Sequence, residues 1–152
     1  MTYEVELKEL PARPVATIRV TVETSGIGKA FGELLPQVMA HIKRHGAHPV
    51  GPPLGIFHHY GETSCDMEAG WALEQAIPSE GPVDVRELPA GRAAVTWHFG
   101  PYSTLGDAHR TVIGWISSNG REQTGPPWEL YWSDPQEVPP EELRTEVGYP
   151  VD

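Results

Sequence analysis

The sequence predicts an α+β fold in which a strand-helix-strand-strand unit occurs twice, with pseudo-twofold symmetry, in one domain of residues 1–152. Three observations predict it. The length suits a single domain with a substantial core, short segments recur at a nearly constant offset, and both halves show the same order of strand and helix patterns. Two such units can pair into one curved antiparallel sheet, with the helices on one face and a ligand cleft on the other.

The recurring segments keep their order along the chain, at offsets of 78, 74 and 78 residues. They are 9–12 with 87–90 (ELPA in both), 51–53 with 125–127 (GPP in both), and 67–73 with 145–151 (MEAGWAL against TEVGYPV). Three ordered matches whose offsets differ by only four residues indicate an internal duplication, with repeats at approximately 3–77 and 83–152.

In the first half, residues 14–22 alternate and are rich in Val, Ile and Thr, which is typical of a strand. Apolar residues recur at three- and four-residue steps over residues 27–45, which predicts an amphipathic helix. Pro36 should kink or divide this helix, and Gly46 is placed to end it. After the Gly-Pro-Pro turn, two further strands are predicted, at residues 54–60 and 68–76.

The second half repeats this order. Strands are predicted at residues 93–99, 128–133 and 144–151. The intervening helix has an apolar stripe from Leu105 to Ile116, with Ser103 as its predicted cap and Asn119-Gly120 as its end.

Composition limits the classes of partner. A formal net charge of -10, without a basic stripe, disfavours direct binding to nucleic acid. No apolar run is long enough to span a membrane, and residues 1–10 lack the pattern of a signal peptide, so a cytoplasmic location is expected. Cys65 is the only cysteine, which excludes an intramolecular disulfide and a cysteine-based zinc site. A small-molecule ligand is the expected partner, and a protein partner stays open.

The seven histidines do not predict a metal site. His41 and His45 are four residues apart on the predicted helix, but no third ligand occurs at a recognisable spacing. His58 and His59 are adjacent on a strand and should point in opposite directions. We therefore predict solvated surface histidines, no metal and no cofactor.

The strand at 128–133 carries the candidate site. Glu129 and Tyr131 share one of its sides, and the Gly-Pro-Pro match places Gly55 and Phe57 at the equivalent positions of the first half. A carboxylate that breaks the repeat suggests a task specific to one half. A carboxylate among aromatic rings favours a flat cationic ligand, since burial is costly without a counter-charge and ring faces attract cations.

Other aromatic residues are candidates for the wall of this pocket. Trp71 and Tyr149 occupy equivalent positions in the two halves, and Trp97 lies on a predicted strand. For these three residues, core and pocket positions stay open. The predicted ligand-binding residues are Glu129, Tyr131, Trp71, Trp97 and Phe57.

The second half resembles the GyrI-like family of small-molecule-binding domains. The matching segments, in order, are 87–91 (ELPAG), 100–102 (GPY), 114–116 (GWI), 129–131 (ELY), 134–135 (DP), 145–147 (TEV) and 150–151 (PV). The family resembles the effector-binding ends of AraC- and MerR-type transcription regulators, and the resemblance implies a stand-alone form without a DNA-binding domain. It also implies that Glu129, in the Glu-x-Tyr motif, faces cationic aromatic ligands.

Three functional hypotheses follow. In the first, the protein binds or sequesters amphipathic, aromatic, cationic molecules. In the second, it resembles the relatives that hydrolyse strained cyclopropane rings of natural products, with Glu129 as general base and Tyr131 as hydrogen-bond donor. The third is a protein inhibitor whose acidic surface engages a basic partner.

Overall fold

The computed structural model describes residues 2–152 and confirms the α+β class. Eight strands and two helices form the described part of the chain. They are β1 (Glu6–Leu10), β2 (Arg13–Glu23), α1 (Ile27–Arg44), β3 (Pro49–Tyr60), β4 (Ser64–Leu73), β5 (Asp84–Leu88), β6 (Gly91–Phe99), α2 (Leu105–Ser118), β7 (Trp128–Tyr131) and β8 (Arg144–Val151). No helix within residues 2–152 is long and apolar enough to cross a membrane.

The chain forms two compact units. The α1 unit is Ala12–Pro89, in which four antiparallel strands lie in the order β3-β4-β2-β5. The α2 unit consists of the residues up to Pro11 together with Ala90–Asp152, in which four antiparallel strands lie in the order β1-β6-β8-β7. That the whole chain is a single domain stays a prediction.

The strand registers of the two units correspond at the offsets found in the sequence. The equivalent pairs are Ala16–Trp71 and Ala94–Tyr149, Thr17–Gly70 and Val95–Gly148, and Leu54–Gly70 and Trp128–Gly148. Residues of β2 and β4 are thus related to β6 and β8 by 78 positions, and residues of β3 to β7 by 74. An origin of the two units by duplication stays a prediction.

The offset between equivalent residues changes from 78 before the helices to 74 in β3 and β7, directly after them. Both helices follow a single 3-10 turn and start at equivalent positions, Ile27 and Leu105. Both are followed by a glycine in the left-handed conformation, Gly46 at φ 65° and Gly120 at φ 64°. Helix α1 has 18 residues and α2 has 14, so α1 is longer by about one helical turn.

Strands β1 and β5 were not predicted from the sequence. Each has five residues with charged side chains on it, and each lies at the edge of its unit's strand order, so neither shows a long apolar pattern. Each half of the chain therefore reads strand-strand-helix-strand-strand, and the first strand of each half belongs to the compact unit of the other half. The predicted Gly-Pro-Pro turn at 51–53 is also wrong, because these residues lie inside β3, where the pairing with β4 is irregular between Val50 and Leu54.

The helices differ from the prediction in two places. Pro36 lies within α1 and does not divide it, and a kink at Pro36 stays a prediction. The carbonyl group that loses its helical donor belongs to Gly32, which is exposed and can bind water instead. Ser103 lies in the 3-10 turn before α2, and no side chain caps the helix.

Each helix packs against the strands of its own unit. In the α2 unit, the buried cluster joins four residues of α2 to residues of β6 and β8. Its members are Leu105, Ala108, Val112, Ile116, Ala94, Val147, Tyr149 and Val151. The equivalent cluster of the α1 unit includes Ala30, Leu34, Val38, Ala16, Ala69 and Trp71.

Candidate functional site

Glu129 lies on the face of the α2 unit that carries the helix. On β7 it pairs with Val147 of β8, and Val147 belongs to the cluster that packs against α2. Directly paired residues of antiparallel strands point to the same side. The prediction that the acidic residue faces a cleft on the side without helices is therefore wrong, because strand alternation groups side chains but does not say which group the helix covers.

The Glu129 carboxylate is buried and fully hydrogen-bonded. The residue is 7% exposed. His109 on α2 donates from Nε2 to Oε2 of Glu129 at 2.6 Å, and the Tyr131 hydroxyl donates to Oε1 at 2.6 Å. Tyr149 on β8 completes the group, with its hydroxyl 2.7 Å from Nδ1 of His109. Both carboxylate oxygens thus have a donor, which offsets the cost of removing the charge from water.

The carboxylate fixes one direction in this group of hydrogen bonds. Because a carboxylate oxygen only accepts, Nε2 of His109 is the donor in its contact with Glu129. Burial, and secondarily the charge of Glu129, raises the pKa of Tyr149 to about 12, so the phenol that contacts Nδ1 keeps its proton at neutral pH. Tyr149, His109 and Glu129 form one chain of hydrogen bonds.

Two aromatic rings lead from the carboxylate to the surface. Tyr102 contacts Tyr131 edge to face, with ring centroids 5.9 Å apart. Burial, followed by the charges of Glu129 and Asp134, raises the pKa of the Tyr102 phenol. Tyr102 is nonetheless 40% exposed, so a ligand from solvent can reach this ring first. The faces of such rings attract organic cations.

The α1 unit shows that the fold does not require this network. The offsets of 78 and 74 relate His109 to Phe31, Tyr149 to Trp71, Tyr131 to Phe57 and Glu129 to Gly55. The carboxylate, the imidazole and the two phenols of the α2 unit thus correspond to residues of which only Trp71 has a polar side-chain atom, its indole nitrogen. Packing is satisfied in the α1 unit without a carboxylate, an imidazole or a phenol at these positions, so their presence in the α2 unit calls for another explanation.

The buried carboxylate of Glu68, unlike that of Glu129, has an equivalent in the other unit. Glu68 accepts hydrogen bonds from Arg86, Thr17 and His58, and the equivalent Glu146 of the α2 unit accepts from Lys8 and Trp132. Lys8 is equivalent to Arg86, and Trp132 to His58, so these contacts occur in both units. A feature shared by both units is best explained by structure.

Four of the five predicted ligand-binding residues fall into two groups, one in each unit. Glu129 and Tyr131 are in contact, as their alternation on the strand suggested. Phe57 and Trp71 are buried in the α1 unit, within the cluster that packs against α1. That they contact the same ligand as Glu129 stays a prediction.

Trp97 does not belong with Glu129. It pairs with Glu146, which also pairs with Leu130, so it lies on the side of the sheet opposite to Glu129. There it packs against Trp132, with ring centroids 6.0 Å apart. The prediction that Trp97 lines the Glu129 pocket is wrong, because its strand position has the opposite parity.

His109 was not predicted as a site residue. The signal that could have identified it was its equivalence to Phe31, an apolar position of the first helix. The histidines were also misjudged at His41, which is completely buried. Together with His45 and Glu80, His41 offers ligand atoms close enough for a metal ion, at a place separate from the Glu129 site.

Family comparison decides the class of the chain. The family profile of the GyrI-like small molecule binding domain matches residues 3–152. The chain belongs to this family. A comparison with curated protein sequences finds no match.

Solved structures of similar fold support the GyrI-like assignment. The crystal structure of the EcmrR C-terminal domain matches with a TM-score of 0.87 and 27% identity, over 100% of this chain and 99% of that one. In the EcmrR–DNA complex, this chain matches 57% of the EcmrR chain, with a TM-score of 0.85 and 26% identity.

Two more distant structures share the fold. SAV2435 bound to tetraphenylphosphonium matches with a TM-score of 0.70 and 16% identity, over 98% of this chain and 94% of that one. A hydrolase from Listeria innocua matches with a TM-score of 0.71 and 16% identity, over 98% and 92%.

Proposed function

We propose that this GyrI-like protein binds amphipathic aromatic cations, with Glu129 as the anionic anchor. The observation that carries the proposal is the buried Glu129 carboxylate with its His109 and Tyr131 donors, present in the α2 unit and replaced by apolar residues in the α1 unit. The fold neighbour SAV2435, which was solved with tetraphenylphosphonium, makes an aromatic phosphonium a sensible probe.

The expected affinity has two sources. A charged contact to a buried carboxylate contributes about 1.5–3 kcal/mol. Each ring face over a desolvated cation adds about 0.5–2 kcal/mol, and two rings on the Glu129 side can supply such faces, the half-buried Tyr131 and the exposed Tyr102 that contacts it. Charge and ring area together select a flat or propeller-shaped cation without demanding a single exact shape.

The direct test is Glu129→Gln, which keeps the shape of the side chain and removes its charge. We expect this change to weaken binding of methyltriphenylphosphonium by about 10- to 100-fold, from the value of a charged hydrogen bond. Binding of triphenylphosphine oxide, a neutral molecule with the same three rings, should change little. Isothermal titration calorimetry measures both.

Glu146→Gln is the matched control, because Glu146 is an equally buried carboxylate of the same unit on the opposite face. It should leave both affinities unchanged. Equal losses of cationic and neutral ligand in Glu129→Gln, or an equal effect of the control, would contradict the anchor.

Hydrolysis is the second candidate, and the hydrogen-bonded group of Tyr149, His109 and Glu129 favours it. Glu129 can accept a proton from a water molecule as the water oxygen bonds to a strained cyclopropane carbon. The ring carbon–carbon bond then breaks, its electron pair passes to the electron-accepting part of the compound, and the proton held by Glu129 neutralises it. Tyr131, whose hydroxyl must first turn from Oε1 of Glu129, donates a hydrogen bond to the developing negative charge. Incubation with a cyclopropane-containing alkylating agent, followed by mass spectrometry, separates the candidates. A ring-opened, water-added product formed by the wild type and not by Glu129→Gln would establish chemistry, whereas unchanged compound recovered from a stoichiometric complex leaves binding alone.

A further inference from the structure

A cluster of metal-ligating side chains lies in the α1 unit, at the end of its helix. One ring nitrogen of His41, one of His45 and one carboxylate oxygen of Glu80 all lie within 4.8 Å of one another. We propose that these three residues bind a divalent transition-metal ion of the zinc, nickel or copper class. The site is independent of Glu129 and of the function proposed above.

His41 is held as a ligating histidine usually is. It is completely buried, and its Nε2 donates a hydrogen bond to the backbone carbonyl of Pro78 at 2.7 Å. Because that carbonyl only accepts, the lone pair of the neutral ring lies on Nδ1. A hydrogen bond from one ring nitrogen to a backbone carbonyl fixes the tautomer and the ring orientation, and this arrangement is typical of histidines that bind metals.

His45 and Glu80 already lie at a suitable separation. Nε2 of His45 is 3.5 Å from Oε2 of Glu80. Two ligands bound to one zinc ion at about 2.0–2.1 Å in tetrahedral geometry are about 3.3 Å apart. Glu80 also starts a tight turn closed by two backbone hydrogen bonds with Val83, so its backbone is fixed before any ion binds.

The site uses a part of the chain that the α2 unit lacks. Helix α1 is four residues longer than α2, and the additional turn lies before Gly46, the glycine equivalent to Gly120. His41 lies in the last turn of α1 and His45 is its C-cap residue. Since α2 builds the same packing without this turn, neither histidine is required by the common fold.

The donor set and the surroundings define the class of ion. Two imidazoles and one carboxylate suit borderline ions such as Zn²⁺, Ni²⁺ and Cu²⁺ better than Mg²⁺, which prefers oxygen ligands. A surface cavity of about 460 Å³ adjoins His45 and is also lined by His48, Glu74 and Pro78. It leaves room for water in the coordination positions that the three residues do not fill.

The side chain of Arg44 opposes binding of a metal ion at this site. The guanidinium of Arg44 is 3.4 Å from Nδ1 of His41, where it brings a positive charge and a competing donor to the free lone pair. Removing it should strengthen metal binding through His41 without removing a ligand. This gives a test of His41 that does not leave a hole in the core, as replacement of the buried ring itself would.

The test is a zinc titration of tag-free, chelator-stripped protein (residues 1–152) in competition with a chromogenic chelator. The wild type should bind one Zn²⁺ per chain. His45→Ala and Glu80→Gln should each weaken binding by at least about tenfold, and Arg44→Gln should strengthen it several-fold. His48→Ala, which changes a residue that lines the cavity but is not a proposed ligand, should have little effect.

Cobalt provides an independent readout of the coordination shell. Co²⁺ bound by nitrogen and oxygen ligands should give visible absorption bands in the wild type that Glu80→Gln alters. The proposal is overturned if the wild type binds no stoichiometric Zn²⁺. It is also overturned if both ligand variants keep wild-type affinity, or if His48→Ala loses as much affinity as they do.

Discussion

Replacing Gly70 by alanine is expected to lower the free energy of unfolding by about 3 kcal/mol or more, or to prevent folding altogether. A Cβ atom at Gly70 would lie 1.9 Å from the carbonyl oxygen of Ala16 and 2.9 Å from the Cα atom of Thr17. Both neighbours are backbone atoms of β2, which pairs with β4 on one side and β5 on the other. They cannot move away without breaking the hydrogen bonds of two strand pairs.

Urea denaturation followed by circular dichroism measures this effect. Gly32→Ala is the matched control, because Gly32 lies inside α1, is exposed, and has no neighbouring atom within 4 Å of a new Cβ. That change should raise stability by up to about 1 kcal/mol, since alanine favours a helix more than glycine does. An unfolding midpoint for Gly70→Ala close to that of the wild type would contradict the close approach of β2 and β4.

The second large effect is expected at the buried carboxylate of the α1 unit. Nη1 and Nη2 of Arg86 donate to the two oxygens of Glu68 at 2.6 and 2.8 Å, and the Glu68 side chain is 3% exposed. Breaking a buried pair of this kind typically costs 3–5 kcal/mol. Because the Arg86 side chain is 36% exposed and water can solvate it in part, we expect Glu68→Ala to cost about 3 kcal/mol. Glu146→Ala should cost less, since Lys8 makes a single contact at 3.2 Å.

The Glu68 effect should depend on pH. Burial opposes ionisation of Glu68, but hydrogen bonds from Arg86, Thr17 and His58 outweigh it and hold its pKa below the ordinary value. A carboxyl group of this kind stabilises the fold at neutral pH and loses its contribution as the pH falls through its folded-state pKa. The difference in unfolding free energy between wild type and Glu68→Ala should therefore shrink from about pH 7 to about pH 3. A difference that stays constant would place the stabilisation elsewhere.

Much of the fold was predictable because local patterns and the internal repeat agreed. Strand β8 was predicted at its observed bounds, and α1 and α2 followed from their apolar periodicity. Strands β1 and β5 were missed because short, charged edge strands are defined by their partners. The Gly-Pro-Pro segment was misassigned because a β-bulge tolerates residues that otherwise favour turns.

The candidate site was predictable only in part. Alternation along β7 correctly grouped Glu129 with Tyr131, and the repeat marked the carboxylate as unusual. Which face the helix covers, and that His109 would reach Glu129, depend on how α2 packs on β8, and no local pattern encodes this. The same holds for Glu80, which tertiary structure brings to His41 and His45 from far along the chain.

The hydrogen bond from His109 to Glu129 connects α2 to β7, and its acceptor is the carboxylate that a bound cation would contact. A ligand whose charge satisfies the carboxylate removes the partner that keeps the imidazole in place. Ligand binding should then weaken the contact between α2 and β7. The position of α2 would in that case depend on whether the site is occupied, and a molecule bound to the outer side of this helix could respond to the difference.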